Sequence, residues 1–421
     1  MGHIIFHIDV NSAYLSWSAL SLLEKGSSID LRLIPAIIGG DMEKRHGVVL
    51  AKSIPAKKYG IVTGEPIVSA MRKCPSLRLE APDHHLYAEK SRQLMQLLSD
   101  ICPEIEQVSV DECYMDYTPI RHLYSSPYEA AVLIKDTVKN TFGFTVNIGI
   151  SDRKILAKMA SDFKKPDLVH TLYSHEIRKK MWPLPVTSLF MCGKSSAEVL
   201  KKLEIETIGQ LATTDRKILE AHLKSHGTLL WEYANGIDNS SVVSTPSDSK
   251  GIGNSTTLSK DVTSREAACK TLLSLSESVA GRLRKAGQLA GMVSVEIKYS
   301  DFHSVSHQTA LYSPSDTSRI LYDTACRLFD ELWDHSPIRL LGVRTSKLIS
   351  AAEPVQLTLF DLGSLSPAKT EPDSQKLAAL DKAIDDIRNK FGKDAVVRGS
   401  LLSSPDNAPL RGPSQQAKKD S

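Results

Sequence analysis

Two acidic patches about a hundred residues apart carry the chemistry of this 421-residue chain. In the first, Asp9 closes an apolar run of Ile4, Ile5, Phe6 and Ile8, the pattern of a buried strand. In the second, Asp111 and Glu112 interrupt a strand-like stretch from Val108 to Tyr117. A carboxylate at the end of a buried strand is costly unless a charge compensates it. Three brought together repel one another, and a divalent cation is the usual remedy. Mg²⁺ takes oxygen ligands, keeps several waters and is completed by substrate phosphates, so the constellation points to metal-dependent phosphoryl transfer. Each patch alone has a plainer reading. An Asp-Glu pair between strands is commonly a solvated turn, and adjacent strand residues face opposite ways. Asp111 and Glu112 can serve one site only at a strand end or turn. The pairing with Asp9 carries the case.

The elements that must position these acids alternate. A strand over residues 1–10 leads into a helix from Ala13 to Leu23, then a Gly- and Pro-punctuated stretch from Gly39 to Pro82. Apolar Leu94, Leu97, Leu98 and Ile101 mark a helix from Tyr87 to Ile101. The Val108–Tyr117 strand, a helix over 126–142 and a strand over 145–150 follow. Such alternation predicts an α/β layer around a sheet carrying all three acids. From Pro183 to Gly236 the pattern turns to short helices. Leu189 to Gly209 reads as a helix-hairpin-helix, whose backbone N–H groups grip DNA phosphate, or as a plain helical hairpin. Asn239 to Lys250 is small and polar, like a linker. Beyond it, strands at 252–258, 292–299, 304–311 and 339–348 with helices at 264–286 and 316–333 give the split βαβ order of a separate domain. A C-terminal helix is expected with Leu377, Leu380, Ile384, Ile387 and Phe391 on one stripe. The Ser-, Pro- and Lys-rich last twenty residues should be disordered.

Composition narrows the class without choosing a function. With 41% hydrophobic and 24% charged residues the chain is ordinary for a soluble globular protein of two to four domains. No apolar run approaches the roughly 20 residues of a membrane span, and the start reads as a core strand instead of a signal peptide. Membrane association is therefore not expected, and a cytoplasmic location is. Six scattered cysteines without metal spacing read as reduced, buried thiols. A net charge of +3 permits nucleic-acid binding without requiring it.

The residues are specific enough to name a resemblance. Asp9-Val-Asn-Ser-Ala-Tyr14, Ser109-Val-Asp-Glu112, Gly149-Ile-Ser-Asp-Arg-Lys-Ile-Leu-Ala-Lys158 and Lys165-Pro166 occur in an order and spacing that resembles the Y-family, or translesion, DNA polymerases, most closely the bacterial DinB type. The resemblance spans residue 3 to about residue 400. It implies an α+β multidomain, right-hand fold. The palm would be residues 1–10 and 80–174, the fingers 11–79, and a helical thumb 175–240. A linker at 241–249 would lead to a split-βαβ little finger at 250–350. A clamp-binding segment at 351–373, a helix at 374–400 and a tail at 401–421 would complete the chain.

By the same resemblance, Asp9, Asp111 and Glu112, with the carbonyl of Val10, would hold two Mg²⁺ ions, and Mn²⁺ accepts the same ligands. Lys165 would contact the triphosphate of the incoming dNTP. Tyr14 would be the steric gate against a ribose 2′-hydroxyl; without the flanking motif it reads as a core aromatic. Departures from the family pattern matter. Ala13 stands where relatives carry a bulky aromatic, so less packing behind Tyr14 and a looser gate are expected; Asn11 stands where many have Asp. Ile54 and Lys57 stand where Tyr and Arg are common, so Ile54 lacks a hydroxyl donor and Lys57 would contact phosphate with altered geometry. Gln356, Leu357, Leu359 and Phe360 resemble the linear motif that docks such polymerases on the sliding clamp, a strand of the preceding domain being the alternative.

These readings converge on a monomeric, template-dependent, low-fidelity DNA polymerase acting on primed template DNA with dNTPs and without a proofreading exonuclease. A UmuC-like mutagenic polymerase needing partners, and a weakly catalytic factor occupying the clamp, are the competing expectations.

Overall fold

A computed structural model describes residues 2–41, 47–245, 249–352, 371–392 and 395–402. The chain divides into two compact units, parting after Pro246. The described strands are β1 (Ile5–Val10), β2 (Ala36–Gly39), β3 (Val49–Lys52), β4 (Arg78–Glu80), β5 (Ile105–Gln107), β6 (Glu112–Asp116), β7 (Val146–Ser151), β8 (Val169–Thr171), β9 (Gly251–Val262), β10 (Gln288–Tyr299), β11 (Ser304–Ser315) and β12 (Ile338–Ser350).

The first unit is organised by the sheet β5-β6-β1-β7-β8, with β1 at its centre and antiparallel to both neighbours. All six residues of β1 are buried, because both faces are covered. Phe6, Ile8 and Val10 face the helices His84–Ile101 and Pro127–Phe142, packing with Leu94, Leu98, Ile134 and Val138. The opposite face carries His7 and Asp9, and the helix Lys154–Ser161 lies over it. That close approach depends on Gly149. A Cβ there would sit 2.0 Å from the Ala157 carbonyl and 2.4 Å from the Ser161 nitrogen.

Of the expected strand from Val108 to Tyr117, only Glu112–Asp116 is strand. β5 ends at Gln107, residues 108–111 turn, and β6 begins at Glu112. Half-exposed Val108 and Val110 mislead a reading that counts apolar residues as strand. Asp111 accordingly sits in the turn ahead of the sheet and not on it. A three-stranded sheet, β3-β2-β4, and the helix Ala13–Glu24 complete this part of the chain, followed by the short helices between Ile177 and Ala234.

The second unit is an antiparallel sheet, β11-β10-β12-β9, with the helices Arg265–Lys285 and Ser318–Leu332 packed on it through Leu272, Val279, Leu321 and Phe329. The C-terminal helix Glu371–Phe391 is present, but the expected apolar stripe is not what it buries. Leu380, Ile387 and Phe391 are exposed, whereas Asp381 is 4% exposed. Arg284 reaches Asp385 at 2.6 Å and Asp381 at 3.3 Å, and Arg388 reaches Glu277 at 3.1 Å. Charge pairing, not the apolar face, sets this helix's orientation. No described helix is long and apolar enough to cross a membrane. All six cysteines are free thiols. The residues Gln356, Leu357, Leu359 and Phe360 lie outside the described residues.

Candidate active site

The acidic centre is built by register. Asp9 on β1 is the direct cross-strand partner of Glu112 on β6 and of Asn147 on β7. Side chains on one face of paired strands lie within about 5.5 Å at Cβ, so the two carboxylates are forced together. Asp111 is tied to the same spot by its backbone, its carbonyl accepting from Val10 N–H at 3.0 Å. Ser109 shapes the turn. Its hydroxyl donates to the Asp111 carboxylate at 2.6 Å and accepts from the N–H groups of Asp111 and Glu112 at 3.2 and 3.0 Å.

Two ammonium groups answer the buried negative charge. Lys158 Nζ lies 2.8 Å from Glu112 and 3.5 Å from Asp9. Lys165 Nζ lies 3.0 Å from Asp9 and 2.9 Å from Asp162. Asn147 fixes the loop that carries Lys165, donating to the carbonyls of Ser161 and Lys164 at 3.1 and 2.7 Å. Sequence reasoning placed Lys165 at the site. It named Lys158 only as the end of a motif, with no role, and missed Asn147; the helical spacing from Gly149 could have flagged Lys158, because the helix lies against β1.

The electrostatics show an imperfectly compensated centre. Burial pushes Asp9 up to about 7, against the opposing pull of Lys165 and with help from Glu112 beside it. Glu112 is held well below the usual carboxylate range, foremost by His7 Nε2 at 3.7 Å and also by Asp9 and Lys158, although its burial works the other way. Burial lowers His7, whose Nδ1 pairs with the Ser161 hydroxyl at 2.8 Å. For Lys158 and Lys165 burial alone would lower the pKa, but the surrounding carboxylates outweigh it and raise both.

Among the described residues no three His, Cys, Asp or Glu side chains are grouped as a ready metal cluster. The donor set nonetheless fits a hard divalent cation: the Asp9 and Glu112 carboxylates face each other across β1 and β6, Asp111 precedes Glu112 in the adjoining turn, all their ligand atoms are oxygen, and the buried Asp9 lacks enough positive charge to ionise freely.

A cleft of about 310 Å³ opens beside this centre, lined by Val10, Ala13, Tyr14, Lys52, Lys57 and Asp111 among others. Lys57 ends the short helix Ile54–Lys57, whose start is capped by Ser53 accepting from Ala56 N–H at 3.1 Å. Half-exposed Ile54 is not among the lining residues. Lys52, which sequence reasoning missed, donates to Thr63 at 3.3 Å, and burial followed by repulsion from Lys57 lowers its pKa. Two ammonium groups facing one cleft that also holds Asp111 suit a polyanion carried with a cation.

The expectation of a loosely backed Tyr14 is corrected. Ala13 is buried and small, but Tyr14 stacks on Tyr87 with ring centroids 4.2 Å apart and planes 11° from parallel. Tyr87 is itself fully buried and joined to Ser18 at 2.8 Å. Trp17 and His84 flank the pair at 6.3 and 6.1 Å from Tyr14. The wall behind Tyr14 comes from the helix at 84–101, a contact across some seventy residues that local sequence could not reveal.

The model of the impB/mucB/samB family matches residues 8–162, and that of the C-terminal domain of the same family matches residues 249–359. A DNA polymerase IV from Clostridium acetobutylicum is 48% identical over 403 residues, covering 96% of this chain and 99% of the relative. One from Alkaliphilus oremlandii is 35% identical over 404 residues, covering 96% of this chain and all of the relative. Among solved structures, a chimeric Y-family DNA polymerase superposes with a TM-score of 0.71 at 20% identity, covering 82% of this chain and 99% of the other.

Proposed function

The chain belongs to the impB/mucB/samB family and is a DNA-directed DNA polymerase of the translesion class; from that premise we propose how its residues divide the work. The observation that carries the reading is the cross-strand Asp9–Glu112 pair, whose chain neighbours Val10 and Asp111 line a cleft together with Tyr14, Lys52 and Lys57. Primed DNA and a dNTP are the substrates, and the reaction depends on a divalent metal.

Asp9, Asp111, Glu112 and the carbonyl of Val10 would hold two Mg²⁺ ions. Such ions supply charge neutralisation on the triphosphate and a lowered pKa at the primer 3′-hydroxyl. The chain's own contribution is placement. β1 and β6 fix the carboxylates, Ser109 orients Asp111, and Lys158 and Lys165 hold negative charge in place until substrate arrives. Lys165, Lys57 and Lys52 would then contact phosphate oxygens as point charges. Tyr14, backed by Tyr87, would stand against C2′ of the sugar and exclude a hydroxyl there.

The sheet β5-β6-β1-β7-β8 would serve as palm, residues 11–79 as fingers and the helices of 175–240 as thumb. In the thumb, Gly193 begins the helix Lys194–Lys202 without a side-chain cap, which leaves backbone N–H groups for a DNA phosphate. The second unit's sheet would form the little finger, with the clamp docking on Gln356, Leu357, Leu359 and Phe360. The enzyme would act as a monomer.

Primer extension by the purified chain tests this reading. Templated addition of dNMPs in Mg²⁺, without added protein partners, is expected; strict dependence on a partner would move the assignment to the UmuC-like class.

A further inference from the structure

Cys269 and Cys326 differ from the other four cysteines. Cys269 lies in the helix Arg265–Lys285 and Cys326 in the helix Ser318–Leu332, and these helices pack against each other in the second unit. The Cys326 thiol donates to Cys269 Sγ at 3.5 Å. One turn before Cys269, Arg265 is held by Asp330 at 2.6 and 2.7 Å, which puts a fixed guanidinium near the sulfur. One turn before Cys326 on the same helix stands Tyr322. The donated hydrogen bond from Cys326 is the main cause that brings Cys269 down to about 7, with Arg265 adding to it. Cys326, as the donor, is raised. Burial instead raises Cys102, Cys113 and Cys192.

We propose that Cys269 and Cys326 are a reversible disulfide-forming pair, oxidised by small hydroperoxides, that staples the two helices of the second unit. The thiolate is the reactive form, and Cys269 is the sulfur poised to supply it. Cys269 sulfur attacks one peroxide oxygen and the O–O bond breaks. The sulfur becomes a sulfenic acid, and the departing oxygen takes a proton as water or alcohol. Cys326 then attacks the Cys269 sulfur, forming the S–S bond; the expelled hydroxide takes the Cys326 proton and leaves as water. Two thiols lose two electrons and two protons, and one hydroperoxide gains them. The sulfurs close from 3.5 Å to about 2.0 Å. Cys269 is only 7% exposed, which disfavours bulky oxidants.

The test treats the full chain with hydrogen peroxide, counts thiols in denaturant and maps a non-reduced digest by mass spectrometry. Of six thiols, four should remain, with a single cross-linked peptide pair joining Cys269 to Cys326, lighter by two hydrogens and reversed by dithiothreitol. Cys326→Ser should stop at a sulfenic acid on Cys269 that dimedone traps, and Cys269→Ser should keep all five of its thiols at the same dose. Six surviving thiols at a dose that oxidises free cysteine, losses at the other four positions, or cross-links only between chains would each overturn the proposal.

Discussion

Asp9 and Glu112 sit directly opposite each other on antiparallel neighbouring strands, and the single ammonium of Lys158 lies 3.5 Å from one and 2.8 Å from the other. Two cations, Lys158 and Lys165, are shared among Asp9, Glu112 and Asp162, which leaves the centre short of positive charge. That shortage is what a divalent cation would relieve.

The shortage has a pH signature. Burial holds Asp9 at about 7, above its ordinary 3.8. A carboxyl raised in this way contributes stability that is full below the ordinary value and is lost as pH rises through about 7. A cation must displace its proton. The affinity of the DNA-free protein for Mg²⁺ is therefore expected to climb as pH approaches 7 and to level above it, with protons released on binding. Calorimetric titration in buffers of different ionisation enthalpy measures both quantities. Affinity independent of pH, with no proton release, would contradict this picture of Asp9.

Tyr87 should govern sugar discrimination without touching the sugar. The Tyr14–Tyr87 stack is worth about 0.5–1.5 kcal/mol beyond its burial. Tyr87→Leu is expected to lower the ratio of kcat/KM for deoxy- over ribonucleotides by about tenfold, since 1.4 kcal/mol is about a factor of ten. Tyr87→Phe keeps the ring and should keep the ratio. Unchanged discrimination in Tyr87→Leu would mean that Tyr14 needs no backing.

With Lys57 in its proposed place against the triphosphate, Lys57→Ala would remove one charged phosphate contact, an effect of about 2 kcal/mol or roughly thirtyfold in kcat/KM for the dNTP. Lys52→Ala should act in the same direction. Lys57→Arg, with a planar fork suited to phosphate, should retain or improve the value. Steady-state kinetics on one primed template decides; an unaffected Lys57→Ala would remove that residue from the substrate site.

Arg284→Met leaves Asp381 buried with less compensation. Loss of one partner from a buried ion network costs about 3 kcal/mol, so the C-terminal helix should lose hydrogen-exchange protection over 376–391. High salt should act in the same direction on the wild type. Unaltered protection in both cases would show that the network does not hold this helix.

Much of the centre was legible in the sequence because it is local. An apolar run ending in Asp9 marks β1, and the Lys-Pro context marks Lys165. What stayed hidden depends on contacts distant in sequence. That the acids meet was expected, but the register that sets Asp9 directly opposite Glu112 was not visible, and Lys158 reaches both only because Gly149 lets its helix settle on the sheet. The stack of Tyr87 on Tyr14 overturned an inference drawn from the neighbour Ala13 alone. The C-terminal helix was visible by its period, yet its apolar stripe pointed to the wrong face, because Asp381, Asp385 and Arg388 meet Ser318, Arg284 and Glu277.

The central claim is that the cross-strand carboxylates drive templated DNA synthesis, and Glu112→Gln tests it most directly because the amide keeps the shape and removes the charge. Single-turnover primer extension in Mg²⁺, run beside a DNA-binding titration, should show synthesis reduced by at least about a thousandfold with binding retained. Extension by Glu112→Gln at the wild-type rate would contradict the assignment.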